Sequence, residues 1–204
     1  MASARVYPHV ADDSIEGTSS GNHLHTVRGM KMDVLENRDR WYAEYKNGWL
    51  AHFEQTGELD WDRYHRPTNK EVPAGPGLDL SEARLVLIST AGGYLEGRQE
   101  PYDAANPLGD YSLRTFPTST PFEQIAFAHE HYDHRAVNED PQVLLPLRHL
   151  EQLSADGQIG GLSDSVISLM GYQPDVTRTL DETIPAVIST ASELDADAAL
   201  LVPS

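Results

Sequence analysis

The 204 residues carry 32 acidic against 15 basic side chains, a formal net charge of -17, and no cysteine. That balance argues against nucleic acid or an anionic membrane surface as partner, and the missing thiols exclude a disulfide, a thiolate metal site or a thiol nucleophile within these residues. No run approaches the ~20 apolar residues that cross a bilayer, and the start MASARVYPHVADD lacks the apolar core of a secretory signal, so a cytoplasmic protein is expected.

In chain order, residues 1–30 include the polar stretch ADDSIEGTSSGNHLH, which has no apolar period and predicts a mobile arm or one that wraps a partner. Residues 31–80 form an N-terminal helical extension and linker. Leu35, Trp41, Tyr42, Tyr45, Trp49 and Phe53 fall near helical spacing, which predicts an amphipathic helix or helix pair with an aromatic stripe. The run PTNKEVPAGPGLDL, rich in proline and glycine, then reads as the linker. All three lysines, Lys31, Lys46 and Lys70, lie in these first 70 residues, so the rest of the chain holds only arginine as its strong base and cannot form a lysine Schiff base.

Residues 81–204 read as an α/β domain, a small and mainly parallel sheet flanked by helices. ARLVLIST is a continuous apolar run of the kind found in a strand covered on both faces, and it stops at Ala91-Gly92-Gly93. Two glycines there permit close backbone approach to a ligand or simply a tight turn. They lack the spacing of a dinucleotide fingerprint, so neither a nicotinamide nor a flavin cofactor is expected. Residues 94–121 are broken by glycine and proline and read as a long loop. A short strand after Pro121 follows, then a helix with Pro146 at its first turn and Gly157 beyond its end. A strand from Ser165, a helix from about Val176 to Leu194 and a buried strand from Ala198 to Val202 complete the alternation. In such sheets ligands sit beyond the carboxyl ends of the strands, here near Thr90 to Gly93, Met170 to Tyr172 and Pro203.

The segment His129-Glu130-His131-Tyr132-Asp133-His134 crowds three imidazoles and two carboxylates together. These groups ligate zinc, manganese or iron, and they also move protons near neutral pH. On an extended backbone His129, His131 and Asp133 share a face, and His134 joins them if the chain turns. The candidates are therefore His129, His131, Asp133 and His134 as ligands of a divalent transition metal, with Glu130, Asp133 and His134 as acid/base groups. A hydrogen-bonding cluster at an interface is the alternative. Arg114 and Arg135 offer planar forks for a substrate carboxylate, and Gly92, Gly93 and Tyr172 line the expected strand ends. The pattern His-x-His-x-Asp-His also looks like the metal motif of the metallo-β-lactamase superfamily, although the only later histidine is His149, in a predicted helix.

From about Ala83 to Pro203 the chain resembles the selenoprotein B family of glycine, sarcosine, betaine and D-proline reductases. The segments ISTAGGYLEG, GDYS at 109–112, AHEHYDH, NEDPQVLLPLRHLEQLSADGQIGGL, SLMGY at 168–172 and DAALLVP at 197–203 occur in the family's order. The resemblance implies that His129, Asp133, Asn138 and Pro141 match widely shared positions, while His131 and His134 mark a subgroup. It also implies cleavage of a carbon-nitrogen bond in a glycine derivative, or opening of the D-proline ring. The selenocysteine or cysteine used for this lies shortly after the strand equivalent to DAALLVP. With no such residue here, the expectation is one subunit of a hetero-oligomeric enzyme acting on a small amino-acid-like substrate, with a second subunit completing fold and site. A non-catalytic, partner-stabilising subunit and a metal-dependent hydrolase are the alternatives.

Overall fold

The computed structural model describes residues 34–70, 77–128 and 133–204, together with the backbone of residues 5–8. The domain is built on a mixed, mostly parallel sheet. Its strands are β1 (Arg5–Pro8), β2 (Arg84–Ser89), β4 (Leu113–Pro117), β6 (Gly161–Leu162), β7 (Ser165–Leu169) and β8 (Ala198–Val202). The order is β1-β8-β2-β7-β4, with β6 beside the first residues of β2. β2 runs parallel to β8, β6 and β7, while β1 and β4 pair antiparallel at the two edges. A separate ribbon joins β3 (Gly93–Leu95) to β5 (Ile125–Phe127), antiparallel. Arg5–Pro8 falls within the stretch expected to form a mobile arm, and the rest of that arm lies outside the described residues.

Alternation along β2 divides its side chains between two layers, because successive residues of a strand face opposite sides. Leu85 and Leu87 join Phe116, Val166, Leu145, Leu147 and Leu150 in one core beneath helix α4 (Leu147–Ala155). Val86 and Ile88 join Ile167 on the other face, against Val187, Ala191 and Leu194. Burial on both faces explains why the strand reads as an unbroken apolar run rather than an alternating one. The layers beside the sheet are α4 and, opposite, a helix made of α5 (Val176–Arg178), a π-helical segment Thr179–Thr183 and α6 (Ile184–Glu193). Asp175 caps its start by accepting from the backbone N–H groups of Thr177 and Arg178. Pro185 has no N–H to give the previous turn and its ring crowds that turn's carbonyl; the wider π turn just before it relieves both.

The aromatic stripe forms one continuous helix, α1 (Arg38–Glu44), a π segment Tyr45–Leu50 and α2 (Ala51–Thr56). Four α-helical residues overshoot a full turn by about 40°. The wider π turn undershoots it, so the combination keeps positions 41, 45, 49 and 53 in line. Trp41 and Tyr45 stack at 5.2 Å, Tyr45 and Trp49 at 5.6 Å, and Trp49 and Phe53 at 6.3 Å. This row packs on Leu180, Leu108 and Ile184, so the extension shares a core with the α5–α6 layer.

The loop expected over 94–121 contains a strand that the sequence concealed. β4 spans Leu113–Pro117, and only Phe116 of its five residues is fully buried. An edge strand with one buried side chain and a terminal proline has neither the alternation nor the apolar run that marks a strand. Among the described residues no helix is long and apolar enough to cross a membrane.

Candidate functional site

The carboxyl ends of the three parallel strands meet at one place. The Thr90 N–H donates to the Val202 carbonyl at 3.1 Å, and the Ser204 N–H donates to Thr90 Oγ1 at 2.9 Å. Gly92 donates to the Leu169 carbonyl at 3.0 Å, and Ala91 bridges to Met170. Gly92 adopts φ +66°, where a side chain would be strained, so glycine is needed for the chain to turn off β2 into β3. Gly93 is ordinary strand backbone, and a Cβ placed there would lie 3.6 Å from both Phe127 and the Ser168 hydroxyl.

The ribbon then brings Ala128, the residue before the histidine segment, to these strand ends. Gly93 pairs with Phe127 in the β3–β5 register, and the Ala128 N–H donates to the Gly92 carbonyl at 3.0 Å. The residue that precedes His129 is thereby fixed to the loop that ends β2. His129, Glu130 and His131 lie outside the described residues.

Beyond them, Asp133 and His134 open helix α3 (Arg135–Glu139). The Asp133 carboxylate accepts three bonds from Arg135: Nε at 2.8 Å, Nη2 at 2.5 Å and the backbone N–H at 3.0 Å. The guanidinium bonds first, and the backbone N–H next, hold the Asp133 carboxyl below its ordinary range. An ionised carboxylate accepts hydrogen bonds but does not donate them. Both partners are solvent-exposed, 57% for Asp133 and 87% for Arg135, so exchanging one for a ligand costs little. The His134 carbonyl accepts from the Asn138 N–H within α3. Among the described residues no three histidine, aspartate or glutamate side chains come together to hold a metal ion.

Arg114 and Tyr172, expected to face a substrate, are both engaged with the neighbouring loops, which form a wall beside the strand ends. The Arg114 guanidinium lies 4.4 Å over the Tyr102 ring and donates to the Glu100 and Leu113 carbonyls and to Ser112 Oγ. The Tyr102 hydroxyl donates to the Ser168 carbonyl at 2.7 Å, and burial pushes its pKa up, so it stays a donor. Tyr172 donates to the Pro107 carbonyl at 2.8 Å. The structure therefore brings Gly92, Gly93 and the start of the histidine segment together, while Arg114 and Tyr172 brace the neighbouring loops.

Residues that the sequence did not single out for a role organise this wall. Gly109, at φ +81°, lies so close to the next loop that a Cβ would sit 2.6 Å from the Tyr172 carbonyl oxygen. Asp110 accepts from the Asp103 N–H at 2.9 Å and from the N–H and hydroxyl of Ser112. Burial alone would raise its pKa, but the Ser112 and backbone bonds outweigh it and draw the carboxyl below the usual range. The Tyr111 hydroxyl accepts from the Asp175 N–H at 2.8 Å, and its ring lies 3.9 Å under the Arg178 guanidinium. Tyr64 donates to the Pro174 carbonyl, with its own pKa pushed up to about 12 by burial first and the Asp175 charge second. The GDYS motif thus joins the loop before β4 to the loop after β7. A further signal was legible: Ser89 and Ser168 interrupt apolar strands, face each other in register and are fully buried.

The chain was compared with known proteins. It is 27% identical over 123 residues to the D-proline reductase subunit gamma of Acetoanaerobium sticklandii, covering 60% of this chain and 49% of that protein. It is 32% identical over 117 residues to the glycine reductase complex component B subunit gamma of Carboxydothermus hydrogenoformans, covering 55% and 26%. The corresponding subunit of Symbiobacterium thermophilum is 28% identical over 150 residues, covering 67% and 35%. The chain therefore spans half or less of the length of these relatives. No solved structure matches it. The region that matches a family runs over residues 57–197, which includes the loops that follow β2 and β7, the wall and the histidine segment, and the chain belongs to the glycine/sarcosine/betaine reductase selenoprotein B family.

Proposed function

We propose that this chain works within a multi-subunit reductase of the component B type. A small amino-acid-like substrate binds where the carboxyl ends of β2, β7 and β8 meet the histidine segment. The observation that carries this is the Ala128 to Gly92 hydrogen bond, which ties the start of that segment to the loop where an α/β sheet ordinarily receives its ligand. His129, His131, His134 and Asp133 supply nitrogen and oxygen donors suited to zinc, manganese or iron, and the ionised state of Asp133 fits such a role. When bound, such a metal supplies Lewis-acid polarisation of a substrate oxygen. Without one, the same imidazoles and Glu130 accept and return protons, and Arg135 can turn from Asp133 to a substrate carboxylate. The 204 residues hold no cysteine, so a thiol or selenol nucleophile comes from outside them.

The test is to purify the tagged chain from its own organism and identify stoichiometric companions. The preparation is then assayed for metal and for reductive carbon-nitrogen cleavage of glycine, sarcosine, betaine and D-proline with a dithiol reductant. A defined complex that cleaves one of these is expected. A lone, metal-free chain inactive on all four overturns the proposal. Alanine at His129, His131 and Asp133 separates roles within the complex: lost activity with intact assembly marks a site, and lost assembly marks a stabilising subunit.

A further inference from the structure

The turn that follows the aromatic helix presents two large apolar side chains to solvent. Trp61 is 48% exposed and Leu59 39%, in the sequence Glu58-Leu59-Asp60-Trp61-Asp62. The Trp61 ring is held by three others: Trp49 at 5.2 Å, Tyr64 at 5.4 Å and Tyr172 at 6.0 Å. A tryptophan fixed on three sides and open on the fourth loses little freedom when something covers it, which is the condition for a strong binding anchor. Its contact with Tyr172 places it one ring away from the loop that ends β7, beside the proposed substrate site.

Charge selects the kind of partner. Arg63 is paired with Asp60 at 2.8 Å, so the carboxylates of Glu58 and Asp62 meet no basic residue of this turn. A second copy of the chain would bring the same carboxylates and a further -17 of charge, and like charges facing each other across an interface are repelled. We infer that Leu59 and Trp61 form a docking peg for a different polypeptide, whose receiving surface is an apolar pocket rimmed by lysine or arginine. The inference rests on the reading of the chain as one component of a reductase complex. It adds where that complex is joined: at the mouth of the site, so that a group carried by the partner arrives next to Tyr172.

Trp61→Ala would also remove packing inside the ring cluster, so the test uses exposed side chains. The complex is purified through tagged full-length chain carrying a photo-crosslinking benzoylphenylalanine at position 59, and separately through the charge-reversed variant Glu58→Lys with Asp62→Lys. Crosslinks are expected in a companion subunit, on a peptide containing lysine or arginine. The charge reversal should lower the retained companion at least tenfold, with an unchanged circular dichroism spectrum and melting temperature. Crosslinks confined to this chain or to a second copy of it, or unchanged retention, overturn the docking peg and leave the reductase reading standing. Absence of any companion with the unaltered chain overturns both.

Discussion

Two segments flank the strand ends, and they are built in opposite ways. In the wall of residues 101–114 and 170–175, Asp110, Tyr111, Arg114 and Tyr172 all engage backbone groups, and Gly109 closes the seam. On the other side the Ala128 N–H is bound to the Gly92 carbonyl, and Asp133 and Arg135 meet in solvent. A fixed wall facing titratable groups that can change partners is the division expected of a site that must hold one thing still and exchange another.

Gly109→Ala should break the wall most severely. The added methyl meets the Tyr172 oxygen at 2.6 Å and the backbone is at φ +81°, which together imply a loss of about 2–4 kcal/mol, read from the denaturant midpoint. Tyr102→Phe removes the hydroxyl that donates to the Ser168 carbonyl and also meets the Arg114 backbone, for a loss of about 1–2 kcal/mol by the same measurement.

Asp110→Asn tests the electrostatics of the wall. The native carboxyl has its pKa lowered, so its contribution is present above the unfolded value of about 4 and disappears as pH falls through the lower folded value. The variant should be less stable than the native chain at pH 7, and the gap should close below about pH 4. Equal differences at both pH values would show that Asp110 acts through shape alone. The smallest stability effect belongs to Asp133→Asn, whose midpoint should match the native chain although the purified complex loses activity. A midpoint shift as large as that of Tyr102→Phe would make the two segments alike and remove the contrast.

Much of this arrangement was legible because burial on both faces writes β2 and β7 as apolar runs, and because Pro146 and Gly157 bracket α4; β8, expected to be buried, is apolar too, but only its Ala198 is buried and Leu201 is exposed. The aromatic helix was legible from spacing, but the π turn that straightens its row was not, since it depends on hydrogen bonding rather than on residue type. The wall escaped for a related reason. Several of its bonds reach backbone atoms far along the chain, 7 positions away for Asp110 with Asp103 and 110 for Tyr64 with Pro174, and such partners leave no period. Arg114 suggested a ligand because a guanidinium fork suits a carboxylate; it suits main-chain carbonyls as well.

β2 is hydrogen-bonded along both flanks, to β8 on one side and to β6 and then β7 on the other. Amide protons in such a strand exchange with solvent only when the whole domain opens, whereas β4, at the edge of the sheet order, is paired to β7. In deuterated buffer the two should separate in time, with the protons of β2 the last to be replaced.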